Sequence, residues 1–285
     1  MISFEKALEI VTNSADFIEK EDIPLIEGTG RVLAEDVYSD IDMPPFDKSA
    51  MDGFACRRED LDSGRLKIIE TVPAGVYPEK TVGRGECSRI MTGGVVPQGA
   101  DQVVMVEYTE EDNGFVTVTK RTDNRNICQK AEDVKAGDLV LRRGTVITPS
   151  KIALLASVGS DPVPVFRRPV LGIVATGSEL VEPAEKPEGA MIRNSNGYQL
   201  CSQAADAGFQ PRYLGIADDT PDAVGRIIDD RSKDIDLFIF SGGVSMGEFD
   251  FVPDVLKEKG FDLFFEKVAV KPCLLYTSPS PRDRS

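Results

Sequence analysis

From Arg168 onward, near-continuous apolar runs alternate with helical stretches, and this alternation restricts the second half of the chain to one kind of architecture. Val170–Ala175 reads as a strand, Ser195–Ala207 as a helix, Pro211–Ile216 as a strand and Pro221–Arg231 as a helix. Asp236–Phe240 then reads as a strand, Phe251–Lys259 as a helix, and Phe264–Val270 as a last strand. Strands that are apolar at nearly every position are buried on both faces. Helices between them make the sheet parallel, with right-handed crossovers. Such a sheet takes its ligands in the crevice outside the carboxyl ends of its strands.

One loop at that edge carries the strongest chemical signal. The apolar run Ile235–Phe240 ends in Ser241-Gly242-Gly243-Val244-Ser245-Met246-Gly247-Glu248-Phe249-Asp250. Glycines let backbone N–H groups close on an anion, and the following carboxylates can hold a cation beside it. The segment suits a phosphate-bearing or oxyanion ligand together with a metal. Two more loops leave the same edge, Thr176-Gly177-Ser178-Glu179-Leu180 and Ala217-Asp218-Asp219-Thr220. Taken alone, Asp218 and Asp219 read first as helix caps, as does Asn194 before the next helix start. Three such loops on one edge point to a ligand. Neither G-x-G-x-x-G nor G-x-x-x-x-G-K-[ST] occurs, so dinucleotide and P-loop chemistry lack their fingerprints.

The first half reads differently. Residues 3–18 place Phe4, Ala7, Leu8, Val11 and Ala15 on one helical face, with Ser3 as N-cap. From Pro24 to Ile147 short β-like runs, such as Leu66–Val72, Gln102–Glu107, Phe115–Thr119 and Leu139–Leu141, are broken by Gly, Pro, Asn and Asp. We expect an extended or barrel-like β region there. Thr148-Pro149-Ser150 opens a short helix that Gly159 ends. A Pro-containing linker over 162–169 sets the boundary. The fold class is therefore multidomain: a β-rich N-terminal part over 1–165, then a three-layer α/β domain with a parallel sheet over 166–272. Residues 273–285, rich in Ser, Pro and Arg, read as an unrelated or disordered tail.

Composition narrows the chemistry. The chain of 285 residues contains no histidine, which excludes Ser-His and Cys-His nucleophiles and any His-ligated metal. A bound metal should be a hard, oxygen-loving ion such as Mg²⁺. The five cysteines form no C-x-x-C pair, against a zinc knuckle or a disulfide framework. Net charge is −15, which makes nucleic acid a poor partner. No apolar run approaches the ~18 residues of a membrane span, and the start lacks a secretory pattern, so a cytoplasmic location is expected.

Two loops of the β-rich part complete the picture. Met43-Pro-Pro-Phe-Asp-Lys-Ser-Ala-Met-Asp52-Gly53 and Ile90-Met-Thr92-Gly-Gly-x-x-Pro-x-Gly-Ala-Asp101 are turns by composition alone. Read with Thr176–Leu180 and Ser241–Asp250, they make residues 1 to about 272 resemble the molybdopterin molybdenumtransferases, the family of MoeA and the gephyrin E domain. The resemblance implies an enzyme that inserts molybdate into adenylyl-molybdopterin, giving molybdenum cofactor and AMP with Mg²⁺. It also implies a homodimer in which one subunit's N-terminal loops complete the other's site, and an upstream molybdopterin adenylyltransferase as partner.

The positions that match are Asp52, Thr92, Asp133, Glu179, Asp218 or Asp219, and Asp250. Asp52, Thr92, Asp133, Glu179 and Asp250 are then the catalytic set. Ser241, Gly242, Gly243, Ser245, Lys267 and Lys271 bind substrate, and Asp250, Asp218, Asp219 and Glu179 hold the metal. Three departures stand out: Cys273 where Gly is expected, absence of the later Pro-Gly-Asn-Pro loop and C-terminal β domain, and Ala131 where the family usually has Gly. The first two imply a truncated chain. Alternatives are a molybdopterin adenylyltransferase or nucleotide-pyrophosphatase-like enzyme, and a non-catalytic dimeric scaffold.

Overall fold

A computed structural model describes residues 1–15, 18–243 and 252–269. Two compact units emerge: Asp22–Pro164, and a second made of Met1–Glu21 with the described residues from Val165 on. A linear reading of the sequence does not convey that discontinuity.

The N-terminal helix, α1 (Phe4–Asn13), starts at Ser3, whose hydroxyl accepts the Lys6 N–H at 3.2 Å. Its apolar face is only partly used. Ala7 is buried, whereas Phe4, Leu8 and Val11 are exposed.

The Asp22–Pro164 unit is built on a six-stranded mixed sheet of β1 (Gly53–Cys56), β2 (Leu66–Val72), β3 (Glu86–Ile90), β4 (Gln102–Met105), β5 (Thr109–Asp112) and β6 (Phe115–Val118). The order is β4-β1-β3-β2-β6-β5, antiparallel except for the β2–β3 pair. Alternation along β1 sends Phe54 and Cys56 to one core with Leu66, Cys87 and Val116. Ala55 goes to another with Val72, Ile90 and Val103. The run expected to extend to Glu107 turns into a short 3₁₀ helix at Val106. The unit's helix, α2 (Pro149–Ser157), has Pro149 at its first turn and buries Leu155.

In the second unit, β7 (Val170–Thr176) lies between β8 (Gln210–Ala217) and β9 (Leu237–Ser241), and both pairings are parallel. Leu171 and Ile173 pack with Ala204 of α3 (Asn196–Asp206). Val174 faces the opposite cluster with Val224 and Ile228 of α4 (Pro221–Arg231) and Val252 and Val255 of α5 (Val252–Glu258). The chain runs from the central β7 out to β8, then back across to β9. That reversal puts a topological switch point between β7 and β9, where open α/β sheets bind ligands. The expected last strand over 264–270 shrinks, among the described residues, to one parallel bridge between Ile2 and Val268. Leu263 and Phe264 stay exposed, so that run offers no buried face to a sheet.

The Pro-containing segment at 162–169 holds a short strand, Val163–Phe166, paired with Lys20–Ile23. Among the described residues no helix is long and apolar enough to cross a membrane.

Candidate functional site

Registers place three loop starts side by side at the carboxyl edge of the parallel sheet. Thr176 pairs with Ala217, and Ala175 pairs with Ser241. The loops 177–180, 218–220 and 242–243 therefore leave adjacent strand ends.

Gly242 and Gly243 fold down over Thr176. Their φ values are +109° and +63°, a region where a side chain is strained. A Cβ on Gly242 would sit 2.4 Å from the Thr176 carbonyl oxygen and 2.6 Å from its hydroxyl. One on Gly243 would lie 3.0 Å from that hydroxyl and 3.1 Å from Val252 Cγ2. Only glycine permits so close a seat.

The other two loops are laced together. The Ser178 N–H donates to Asp219 Oδ2 at 3.1 Å, and the Asp219 N–H donates to Ser178 Oγ at 3.4 Å. Asp219 is thereby drawn to the residue beside Glu179, whose exposed carboxylate lies over the Gly177 Cα, 2.8 Å from where a Cβ would stand. Asp218 is exposed, its carbonyl accepting the Thr220 N–H at 2.7 Å. The cap of α4 is Thr220, whose hydroxyl accepts the Ala223 N–H. Neither aspartate fills the capping role that composition gives them first. Lys267 is exposed, its carbonyl accepting the Ile2 N–H at 2.9 Å. Ser245, Asp250 and Lys271 lie outside the described residues.

Asp52, Thr92 and Asp133 belong to the other unit, where three loops are knitted by backbone hydrogen bonds. The 43–53 loop holds 91–96 through Ser49 N–H to Gly94 O, Gly93 N–H to Ser49 O, and Val96 N–H to Asp47 O. It holds the 126–134 loop through Ala131 N–H to Pro44 O and Asp133 N–H to Met43 O. The Lys130 N–H reaches the Asp47 carboxylate at 2.7 Å. Asp52 Oδ1 accepts both the N–H of Thr92, at 2.6 Å, and its hydroxyl, at 2.8 Å. These bonds, the backbone one first, hold the Asp52 carboxyl below its usual range. Both Thr92 donors are thus spent on Asp52. Asp133 is exposed.

Among the described residues, no three or more Cys, Asp or Glu side chains gather closely enough to hold a metal ion. Mg²⁺ commonly takes only one or two carboxylates and completes its octahedron with water and substrate phosphate. Glu179 and Asp219, on laced neighbouring loops, fit an open set of that kind and not a closed protein cage.

Residues 2–159, more than half of the chain, match the family model described as the MoeA N-terminal region (domain I and II). The chain belongs to the MoeA family. Residues 172–278 match a second model, described as a probable molybdopterin binding domain, so the MoeA assignment extends over both units. A Bacillus subtilis (strain 168) protein named molybdopterin molybdenumtransferase is 41% identical over 276 residues, covering 93% of this chain and 64% of that protein. One of the same name from Staphylococcus aureus (strain Mu50 / ATCC 700699) is 37% identical over 278 residues, covering 95% and 66%. The chain thus spans 64% and 66% of these curated MoeA relatives' lengths. The crystal structure of a molybdopterin biosynthesis MoeA protein from Pyrococcus horikosii aligns with a TM-score of 0.81 at 33% identity, covering 95% of this chain and 70% of that one. The fold is accordingly MoeA-like, with N-terminal domains followed by the family's molybdopterin-type domain.

Two features of this MoeA chain escape its sequence. Thr176 is 6% exposed, and its hydroxyl has no hydrogen-bond partner among the described residues. A strand-ending Thr before Gly was the only available signal. The second is a polar network behind the Glu179 loop. Glu182 accepts from Tyr213 OH at 2.7 Å and Tyr198 OH at 2.9 Å, while Asn194 Nδ2 donates to Tyr213 OH at 2.7 Å. Asn194 Oδ1 accepts the Gly197 N–H, the capping role expected of it. Burial first, then the bond to Glu182, pushes the Tyr213 hydroxyl well above the usual phenol range. No spacing in the chain links those positions.

Proposed function

We propose that this chain works in molybdenum cofactor biosynthesis as a molybdopterin molybdenumtransferase, inserting molybdenum from molybdate into adenylyl-molybdopterin with release of AMP. The observation that carries the reading is the meeting of three polar loops at the switch point of a parallel sheet, in a chain whose relatives bear that name.

Backbone N–H groups of Gly242 and Gly243, with the hydroxyls of Ser241 and Ser245, would cradle the pterin phosphate or diphosphate. Lys267 and Lys271 would draw in molybdate against the acidic field of the chain. Glu179, Asp219, Asp218 and Asp250 are the carboxylates that would hold Mg²⁺. Its chemistry there would be neutralisation of phosphate charge. Asp52 fixes Thr92 through two hydrogen bonds, and their loops, with that of Asp133, would help close the site. In this reading the protein is a homodimer, and the Asp52, Thr92 and Asp133 loops of one protomer complete the site of its partner. No side chain is needed as a covalent nucleophile: the substrate's own dithiol displaces one molybdate oxygen, which leaves as water with the two thiol protons, and a further water molecule would hydrolyse the phosphoanhydride to release AMP. Catalysis then consists of positioning and electrostatics. An upstream adenylyltransferase and a cytoplasmic setting go with this role, as does a three-layer α/β arrangement of the pterin-binding part.

The test is AMP release from adenylyl-molybdopterin in the presence of Mg²⁺, with and without molybdate. Molybdate-dependent AMP is expected, and its loss in Asp250→Ala with the fold retained. No AMP from the unaltered chain overturns the reading. Adenylylation of molybdopterin from ATP would favour an adenylyltransferase instead.

A further inference from the structure

We propose that Thr176 is a further ligand-contacting residue, its hydroxyl donating to a phosphate oxygen of the pterin ligand bound at the carboxyl edge of the parallel sheet. The proposal rests on the functional reading above and deepens it.

Thr176 is the last residue of β7, at the switch point between β7 and β9. Its hydroxyl is buried and unpartnered among the described residues. A buried polar atom left unpaired is a standing cost, and it calls for a reason. The fold supplies none. Valine has the same shape and a stronger preference for a buried strand, so packing alone would choose it. Thr176 also adjoins an apolar cluster, as Val252 Cγ2 beside the Gly243 position shows. A hydroxyl there gains nothing from its apolar neighbours.

What covers the hydroxyl is informative. Gly242 and Gly243, which have no side chains, are the residues whose backbone approaches it. Lifting that turn moves no packed side chain of its own. A ligand oxygen that reaches Thr176 converts an unpaired donor into a bond with an anion, an interaction absent when the turn is seated. That difference between the two arrangements is what a ligand needs in order to favour one of them. Thr176 would then act with the N–H groups of the turn: the strand end gives one donor and the glycines give the others.

Two variants of the full chain test this, Thr176→Val and Thr176→Ser, with molybdopterin itself as the probe and its pterin fluorescence as the binding signal. Stability is followed in parallel by chemical denaturation. Thr176→Val should be as stable as the parent or more so, since it removes an unpaired buried hydroxyl. It should bind molybdopterin about ten- to hundredfold more weakly, the usual worth of a hydrogen bond to a charged group. Thr176→Ser, which keeps the hydroxyl, should bind within a few-fold of the parent. Unchanged binding by Thr176→Val overturns the proposal and leaves the functional reading standing. If the parent chain fails to bind molybdopterin, the functional reading itself falls.

Discussion

Asp52 Oδ1 accepts two hydrogen bonds from Thr92, one from its backbone N–H and one from its hydroxyl, across 40 positions of sequence. Asp52 therefore positions Thr92 as much as it carries charge. Because the backbone bond is the larger cause of the lowered Asp52 carboxyl, Thr92→Val should raise that pKa only part of the way to the ordinary value. Carbon-detected NMR titration of Asp52 in both chains measures this. Full return to the ordinary aspartate value would show that the hydroxyl alone had held it.

The seat of Gly242 on Thr176 is a matter of backbone, which no rotamer can relieve. Gly242→Ala would meet a carbonyl oxygen at 2.4 Å and also carry the strain of φ +109°. Gly208 has a comparable φ of +89° with open space around it. Gly208→Ala should cost about 1 kcal/mol and Gly242→Ala roughly 2–4 kcal/mol. Urea denaturation followed by far-UV circular dichroism compares the two. Equal losses would mean that the turn is not seated on the strand end.

Local signals in the chain were strong where local physics decides. Pro221 at the first turn and Thr220 before it define the start of α4, and the expected span Pro221–Arg231 matches the helix end for end. The same holds for Leu66–Val72, where Gly64 and Pro73 bracket a β-like run. The α1 face read differently, because periodicity reports which side is apolar and not what covers it. The site was legible as three loops on one sheet edge, since each follows an apolar strand. Contacts such as Ser178 with Asp219 and Glu182 with Tyr213 were not, because they join residues that only strand order brings together.

Ala131 has a φ of +59°, in the left-handed region that disfavours any residue with a Cβ. A glycine at this position would take up that conformation without strain. Ala131→Gly should relieve the strain and, after the extra freedom Gly gives the unfolded chain, stabilise by about 0.5–1 kcal/mol. The denaturation midpoint of the variant reads this directly. A midpoint below that of the parent would assign the 129–134 turn a different backbone.

Asp236 is gripped by both terminal nitrogens of Arg167 at 2.6 Å and by the Val170 N–H at 2.7 Å, with Arg167 also bonded to Glu19. The Arg167 bonds, more than the backbone one, hold the Asp236 carboxyl below its usual range. A carboxylate lowered in the folded state adds stability above its unfolded pKa and loses it as pH falls through the folded value. Asp236→Asn should therefore cost roughly 1 kcal/mol at pH 7, a partly exposed pair being screened, and the difference should fade as pH drops below about 4. Denaturation at pH 7, 5 and 3 tests the sign. A deficit that grows toward acid would place the stabilisation elsewhere.

Glu182 is the hub that joins the Glu179 loop to α3 and β8, since its two carboxylate oxygens each accept one tyrosine hydroxyl. Removing the Tyr213 hydroxyl leaves Glu182 with one partner fewer and strands the Asn194 amide that donates to it. Tyr213→Phe should thus destabilise by about 1–3 kcal/mol even though it adds apolar character. Glu182→Gln keeps the shape but removes the charge that disfavours ionised tyrosine. For Tyr198 the Glu182 bond is the leading cause of its raised pKa, whereas for Tyr213 burial leads. The variant should therefore return Tyr198 further toward the ordinary phenol range than Tyr213. Ultraviolet titration of Glu182→Gln, alone and combined with Tyr198→Phe, separates the two hydroxyls. If Tyr213 relaxed as far as Tyr198, the carboxylate and not burial would be setting its ionisation.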